Sequence, residues 1–449
     1  MVRRQPAIYA LFLALLGAQP ASPQALRLIL TGDSILNRRL SVHAEPDYLA
    51  MMERIRRADA AFTNFETLVH DFEAPGAEKS GGTYMASPRF VVEELKWAGF
   101  DLVSVANNHA MDYGPAGLLA TLQHLEAAGM VHAGAGPNLA MARAPAYLDT
   151  PKGRVALIAC ASTFPPGASA GQQRPDLVGR PGISPLRFET TYTLEAPLVE
   201  ALRQLATPNR WEDTKGPLRF LGATFVAGDK RGVETRPDAA DLKGITAAIR
   251  DARRQADWVV VSIHAHEGQP GDREAPAQFL VSFARAAIDA GADVFVGHGP
   301  HVLRAVEIYR GKPIFYSLAN FIFENETVRF QPAENYEQYQ LGPEASPADF
   351  YDARSRNGTR GFPADPLNWE SAVAEVVFEA PGQLQEVTLH PIVLGYGQPR
   401  TRRGRPRPAP EAAGRAILER ISKLSSPFGS EVRREAGAGR VYHKAGGSP

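Results

Sequence analysis

The stretch DWVVVSIHAHEGQPGDREAPAQFLVSFARAAIDAGADVFV, residues 257–296, decides the fold class. Residues 258–263 are an apolar run of strand length, residues 277–290 carry apolar side chains at helical spacing, and Gly291 stops that helix before a second apolar run over 293–296. This is a strand, helix, strand unit. The same order extends upstream, where strands are expected over residues 26–31, 60–64, 102–106 and 155–160, and helices over 48–58, 89–98 and 116–128. Residues 155–160 are apolar throughout, as in a strand covered on both faces. Downstream, strands are expected near 314–317 and 373–378, and over 387–394, the last closing the sheet. Alternation of this kind predicts an α/β protein.

Two stretches interrupt a core domain spanning residues 26–397. Residues 165–237 are rich in Pro, Gly and Arg and read as an insertion holding a helix near 198–205 and a strand near Phe220. Residues 324–369 are polar and read as a mobile surface loop or lid. Beyond the core, residues 398–449 read as an Arg/Pro-rich linker, an amphipathic helix over 411–424 and a Gly-rich tail.

The chain has 449 residues, 44% hydrophobic and 22% charged, which excludes collagen-like, coiled-coil and wholly disordered classes. Basic and acidic residues number 49 each, so no global field exists to hold nucleic acid, and an anion must be recognised locally. The single cysteine, Cys160, lies in an apolar strand and reads as a core thiol. At the N-terminus, Arg3 and Arg4 precede an apolar stretch over 7–18 and small residues up to Ala25, the order of an export signal. That apolar stretch is short of the roughly 20 residues that span a bilayer, so residues 1–25 are expected to be a cleaved signal peptide. Gln19 and Pro23 stand where a cleavage site wants small residues, which keeps an uncleaved membrane tether as the alternative. The expected location is the periplasm or cell envelope.

Metal-ligating side chains recur immediately after the expected strands, where open α/β sheets place their sites. Asp33 follows the first strand, Glu66 the second, and Asn107, Asn108 and His109 the third, with Asp112 just beyond; His264 and His266 end a later strand, and His298 and His301 the next. Singly, each has a bland alternative: a cap or turn residue for Asp33, turn formers for Asn107 and Asn108, a solvent-exposed pair for His298 and His301. Jointly they assemble oxygen and imidazole ligands for two divalent metals. Two such ions about 3.5–4 Å apart share a carboxylate, activate water and clamp an electrophilic oxygen. His109, beside the ligand Asn108, is placed as a proton donor to a leaving group, with Asp112 orienting it. Arg38 is a candidate to hold an anionic substrate, with a solvated Arg38–Arg39 pair as the alternative.

These residues also carry a resemblance. Gly32-Asp33 with Leu36 and Arg38, Asn64-Phe65-Glu66, Asn107-Asn108-His109 with Asp112 and Gly114, and Gly297-His298-Gly299-Pro300-His301-Val302 resemble the CapA-type family of poly-γ-glutamate capsule synthesis proteins, a branch of the calcineurin-like metallophosphoesterases. The likeness takes in residues 132–136 and 314–321 and extends to 426–429. It implies a sandwich of two mixed β-sheets flanked by helices, with a dinuclear centre at one edge. It also implies Asp33, Glu66, Asn108, His264, His298 and His301 as metal ligands, of Mn, Zn or Fe, and His109 as their catalytic neighbour. The chain departs from the pattern in three places. Ser34 and Ile35 follow Asp33 where the superfamily has a histidine two positions on, Ala265-His266-Glu267 replaces a Trp-Gly pair, and Ala319 replaces an expected glycine. His266 is read as substrate-binding, with supply of the missing imidazole as its alternative.

The expected function is that of an exported metal-dependent hydrolase acting on an anionic envelope polymer of poly-γ-glutamate type, or on a phosphoester. Hydrolysis of a phosphoester and cleavage or transfer at a γ-glutamyl amide are both open to such a centre. The non-enzymatic alternative is an accessory or scaffold protein of a capsule export complex at the membrane. The near-complete ligand set favours the hydrolase.

Overall fold

The computed structural model describes residues 25–206 and 216–443. Two sheets form the frame. In the first, the strands Leu26–Ile35, Ala60–Phe65, Leu102–Ser104 and Val131–Ala133 run parallel in that spatial order, and Glu370–Ala380 and then Gln383–Val393 add antiparallel on the other side of Leu26–Ile35. The second sheet sets Gly153–Ala161, Trp258–His264, Val294–His298 and Lys312–Phe315 parallel, with antiparallel edge strands Ala146–Thr150 and Val306–Tyr309. Both sheets are mixed and helices cover them, so the architecture is the expected α/β sandwich.

The Trp258–His264 strand is buried along its whole length because both of its faces are used. Val260 joins Leu157, Val296 and Leu28 in the core between the sheets. Val259 and Val261 face outward onto Phe279 and Phe283 of the helix Gln278–Asp289 and onto Ile245 and Ile249 of the helix Ala239–Arg253. Each such aliphatic burial stabilises by about 1.5–3 kcal/mol. In the Gln278–Asp289 helix the buried positions are Phe279, Leu280, Phe283, Ala284, Ala287 and Ile288, one stripe at the helical period. Gly291 then takes φ +117°, a left-handed turn that glycine enters without a Cβ clash.

Three regions differ from the sequence reading. Within 165–237, a four-stranded sheet forms in the order Leu218–Phe220, Ala223–Ala227, Phe188–Leu194, Gly232–Pro237, beside the helix Ala196–Leu205. The helix and the Leu218–Phe220 strand are the two elements expected there; the other three strands are half-exposed and were not expected. Residues 324–369, expected as a mobile loop, fold into the helices Ala333–Glu337 and Pro347–Ser355 and two short 3₁₀ turns. Phe350, Tyr351, Val328 and Trp369 of this segment converge with Ile35, Met85, Phe323 and Leu394 in a separate apolar cluster. Those residues are scattered in sequence, which hides the core they share. The Gly-rich tail is also structured: after the helix Glu411–Ser425, the hairpin Ser430–Glu435 and Ala438–His443 joins the edge of Gln383–Val393, so that strand does not close the sheet. The apolar strand signals there reduce to Val432 and Val441, set among charges.

One close approach positions everything that follows. The Leu26–Ile35 strand breaks register with Ala60–Phe65 between Leu30 and Asp33, and there Gly32 lies directly against the Ala319 backbone. A Cβ on Gly32 would collide with the Ala319 carbonyl. Ala319, where glycine is expected, sits at φ +58° and so holds a left-handed conformation that costs an ordinary residue roughly 1–2 kcal/mol. Gly32→Ala is therefore expected to destabilise the protein by about 3 kcal/mol or more, since the obstacle is backbone with nowhere to move. Chemical denaturation of that variant checks this, and a midpoint equal to that of the parent contradicts the packing described.

Candidate metal centre

Strand register brings the candidate ligands together. Asp33 is opposite Asn64 on one side and Asn320 on the other, and in the second sheet His264 is directly opposite His298. Parallel in-register pairing sends neighbouring side chains to the same face, so each pair projects from one edge of its sheet. Glu66 follows the Ala60–Phe65 strand by one residue, with its amide donating to the Ser34 carbonyl at 3.1 Å. His301 lies in the loop after Val294–His298 at φ +57°, a conformation uncommon for a residue with a Cβ. Its Nδ1 lies 2.8 Å from Asn320 Oδ1, and Asn320 is held in turn by donating to the Asn368 carbonyl.

Two groups of donor atoms result, each within 4.8 Å: Asp33, Glu66 and His301 in one, Glu66, His264 and His266 in the other. Glu66 belongs to both. Its Oε1 lies 3.8 Å from His264 Nε2 and 4.0 Å from His301 Nε2, while Asp33 lies 3.6 Å from His264 Nδ1 and 3.7 Å from His301 Nδ1. His266 Nε2 lies 2.9 Å from His264 Nε2, which places it in one of the two groups of donor atoms. Thr163 holds its loop by accepting the His266 amide, and Glu267 accepts the Thr163 hydroxyl. His298 stands outside both groups, its ring against Phe62.

Electrostatics at the cluster is unbalanced in a way that a cation corrects. Burial pushes the Glu66 carboxyl well above its usual range, and the nearby Asp33 and Asp112 charges push the same way. Burial would raise Asp33 as well, but hydrogen bonding with His264 and the imidazoles of His298 and His301 hold it well below the usual carboxylate range. His298 and His301 are each lowered to about 4, chiefly by burial, so both rings are neutral lone-pair donors at neutral pH. Neither oxygen of Glu66, neither ring nitrogen of His298, and neither Asn64 Oδ1 nor Asn108 Oδ1 has a hydrogen-bond partner although all are buried. Such groups normally cost about 1–3 kcal/mol each when left unmatched. Carboxylate, amide oxygen and imidazole donors with no protein partner are the donor set of a borderline divalent metal, so the residues fit the implied ions.

His109 and Asp112 form a separate unit beside this cluster. Asp112 Oδ2 lies 2.7 Å from His109 Nδ1, and its carboxylate also accepts the Gly81 and Met85 amides at 2.8 Å each. The ring is thereby fixed with Nδ1 protonated and Nε2 turned to the centre, 3.8 Å from Glu66 Oε1. Asn108 donates through Nδ2 to the Gly81 carbonyl, which leaves its Oδ1 as the free donor atom.

Arg38 does not join them. It pairs with Glu324 at 2.9 Å and donates to the Thr401 and Arg403 carbonyls, which ties the end of the first strand to residues 401–403 and commits both terminal nitrogens. Sequence reasoning assigned no role to Asn64, whose Nδ2 donates to Asp33 Oδ1 at 2.8 Å and lies 3.1 Å from His264 Nδ1, nor to Asn320. Asn64 lies near the carboxyl end of Ala60–Phe65, the signal that singled out the other residues, whereas Asn320 opens the strand Asn320–Phe323.

The sequence pattern of the bacterial capsule synthesis protein PGA_cap family matches residues 27–325. The chain is similar to the uncharacterized protein y4sH of Sinorhizobium fredii, 36% identical over 92% of each chain. It is also similar to the capsule biosynthesis protein CapA of Bacillus anthracis, 25% identical over 68% of this chain and 62% of the relative. Among solved structures, a hypothetical protein from Thermus thermophilus aligns over 82% of this chain and 98% of its own, with 13% identity and a TM-score of 0.39. The family pattern matches well over half of the chain, so this chain belongs to the bacterial capsule synthesis protein PGA_cap family.

Proposed function

We propose that this member of the capsule synthesis family is an exported, metal-dependent hydrolase of the metallophosphoesterase type, acting on an anionic envelope polymer of poly-γ-glutamate type or on its precursor. The observation that carries the proposal is Glu66: one buried carboxylate shared by two groups of metal-ligating atoms, with neither oxygen otherwise bonded. Asp33, Glu66, His264, His266 and His301, with Asn108 and His298 beside them, would hold divalent ions, which would supply Lewis acidity there.

The chain's own residues supply the remaining chemistry. His109, its Nδ1–H donated to Asp112, holds a proton at Nε2 for the departing oxygen or nitrogen. Asp112 cannot swing away, because two backbone amides also hold its carboxylate. Asn64 and Asn320 keep the Asp33 and His301 donor atoms aimed inward. A phosphoester and a γ-glutamyl amide both leave an atom that needs this proton, so the geometry serves either bond. Export is supported by the Arg3, Arg4, apolar, small-residue order, whose residues 1–24 lie outside the described region. Among the described residues no helix is long and apolar enough to cross a membrane.

Elemental analysis of the purified protein is expected to find up to two equivalents of Mn, Zn or Fe, and Glu66→Gln is expected to reduce both sites together, because it removes the shared ligand. Loss of only one equivalent would refute the sharing. With poly-γ-glutamate and a generic phosphodiester as substrates, His109→Asn should lower turnover by about 10²–10⁴ while metal content and Tm stay near those of the parent. A drop in Tm that matches the drop in activity would make His109 structural. Asp112→Asn should lower both turnover and Tm, since it also weakens the hold on the Gly81 and Met85 amides, each loss worth about 1 kcal/mol or more.

A further inference from the structure

A second feature adjoins the metal centre and is not used by it. The helical segment 333–364 and Arg273 of the strand Asp272–Pro276 line a groove of about 830 Å³. Its floor touches the centre directly: the Phe362 ring lies 5.0 Å from the His301 ring, and the Asn368 carbonyl accepts from Asn320, which orients His301. Arg304, buried beneath, donates to the backbone carbonyls of Arg273 and His266, so one residue braces both the groove and the ligand loop.

The charges lining the groove do not balance. Its two acids are already engaged, Glu326 with Arg403 and Asp365 with Arg273. Arg354 and Arg360 remain, and among the described residues neither guanidinium has an acidic partner. Arg354 lies over the Phe362 ring at 5.9 Å, and Tyr339, Phe362 and Pro363 supply apolar surface beside it. A planar guanidinium grips a carboxylate through two parallel N–H bonds, and an apolar floor suits the methylene carbons that separate one carboxylate from the next.

We infer that this groove is a subsite for a carboxylate-bearing polymer, with Arg354 and Arg360 gripping successive acid groups and Phe362 leading the chain to the metal centre. The inference names the recognition surface for the substrate class proposed above and rests on that reading. A polyphosphate presents the same charge without the methylene segments, and it is the competing polyanion.

Binding separates the two ideas from catalysis. Affinity for poly-γ-glutamate is measured by titration calorimetry on the full mature protein after chelation of metals, alongside inorganic polyphosphate. The parent is expected to bind poly-γ-glutamate more tightly than polyphosphate, and R354Q/R360Q to bind it about tenfold more weakly with Tm unchanged, the size expected for two partly exposed charge contacts. Arg354→Lys alone keeps the charge but loses the fork, and is expected to bind more weakly than the parent; it stands in if the double variant misfolds. Equal affinity of the parent and these variants, no binding by the parent, or a preference for polyphosphate would each overturn the subsite. Arginine-dependent binding by a protein that turns over no substrate would leave the subsite standing and refute the hydrolase.

Discussion

Gly32 pressed against the backbone of Ala319 is the contact on which the site depends. At that point Asp33 donates its amide to the Ala319 carbonyl at 2.8 Å and accepts the Gly299 amide on Oδ2 at 3.0 Å, so one residue fastens the central strand of the first sheet to a loop of the second. No side chain fits in the gap. With Asp33 fixed in this way, register alone sets Asn64 and Asn320 on either side of it, and through Asn320 the His301 ring. Ala319 and His301 both hold left-handed backbone conformations to make this possible, a strain that tertiary packing sustains.

The same packing creates the electrostatic tension at the centre. Two carboxylates and four imidazoles are brought out of water within a few ångströms, where the acids repel and burial keeps His266, His298 and His301 neutral. Protein groups alone leave Glu66 and His298 unmatched. A divalent cation would satisfy those donors and offset the repulsion together, so folding the sandwich assembles a group of residues that could hold a metal ion.

Rigid and adaptable parts are divided accordingly. Ligands sit at or next to the ends of buried strands, whereas the groove beside them is built from short helices packed on their own small apolar cluster. Precision at the metals comes from the sheets. The groove proposed to hold a substrate is built mainly from the segment outside the two sheets, and surface segments on a rigid scaffold are a usual place for binding.

Much of this was legible in the residues. Apolar runs and helical spacing located the buried sandwich strands, because burial on both faces demands continuous hydrophobicity, and the recurrence of Asp, Glu, Asn and His just past those runs pointed to residues that the structure gathers into groups able to hold a metal ion. Three of the strands in 188–237, the hairpin around Val432 and Val441, and the folded segment 324–369 left no such trace: the first are half-exposed, and the other two pack against distant parts of the chain. Direction was equally beyond reach. A sequence can offer Glu66, His266 and Arg38 as candidates, but which carboxylate is shared, which histidine turns into the cluster and which arginine is spent on Glu324 depend on register between strands up to hundreds of residues apart. Strand periodicity is a local property of the chain. The meeting of Glu66 with His264 and His301 is not, and it was decided only when the two sheets packed together.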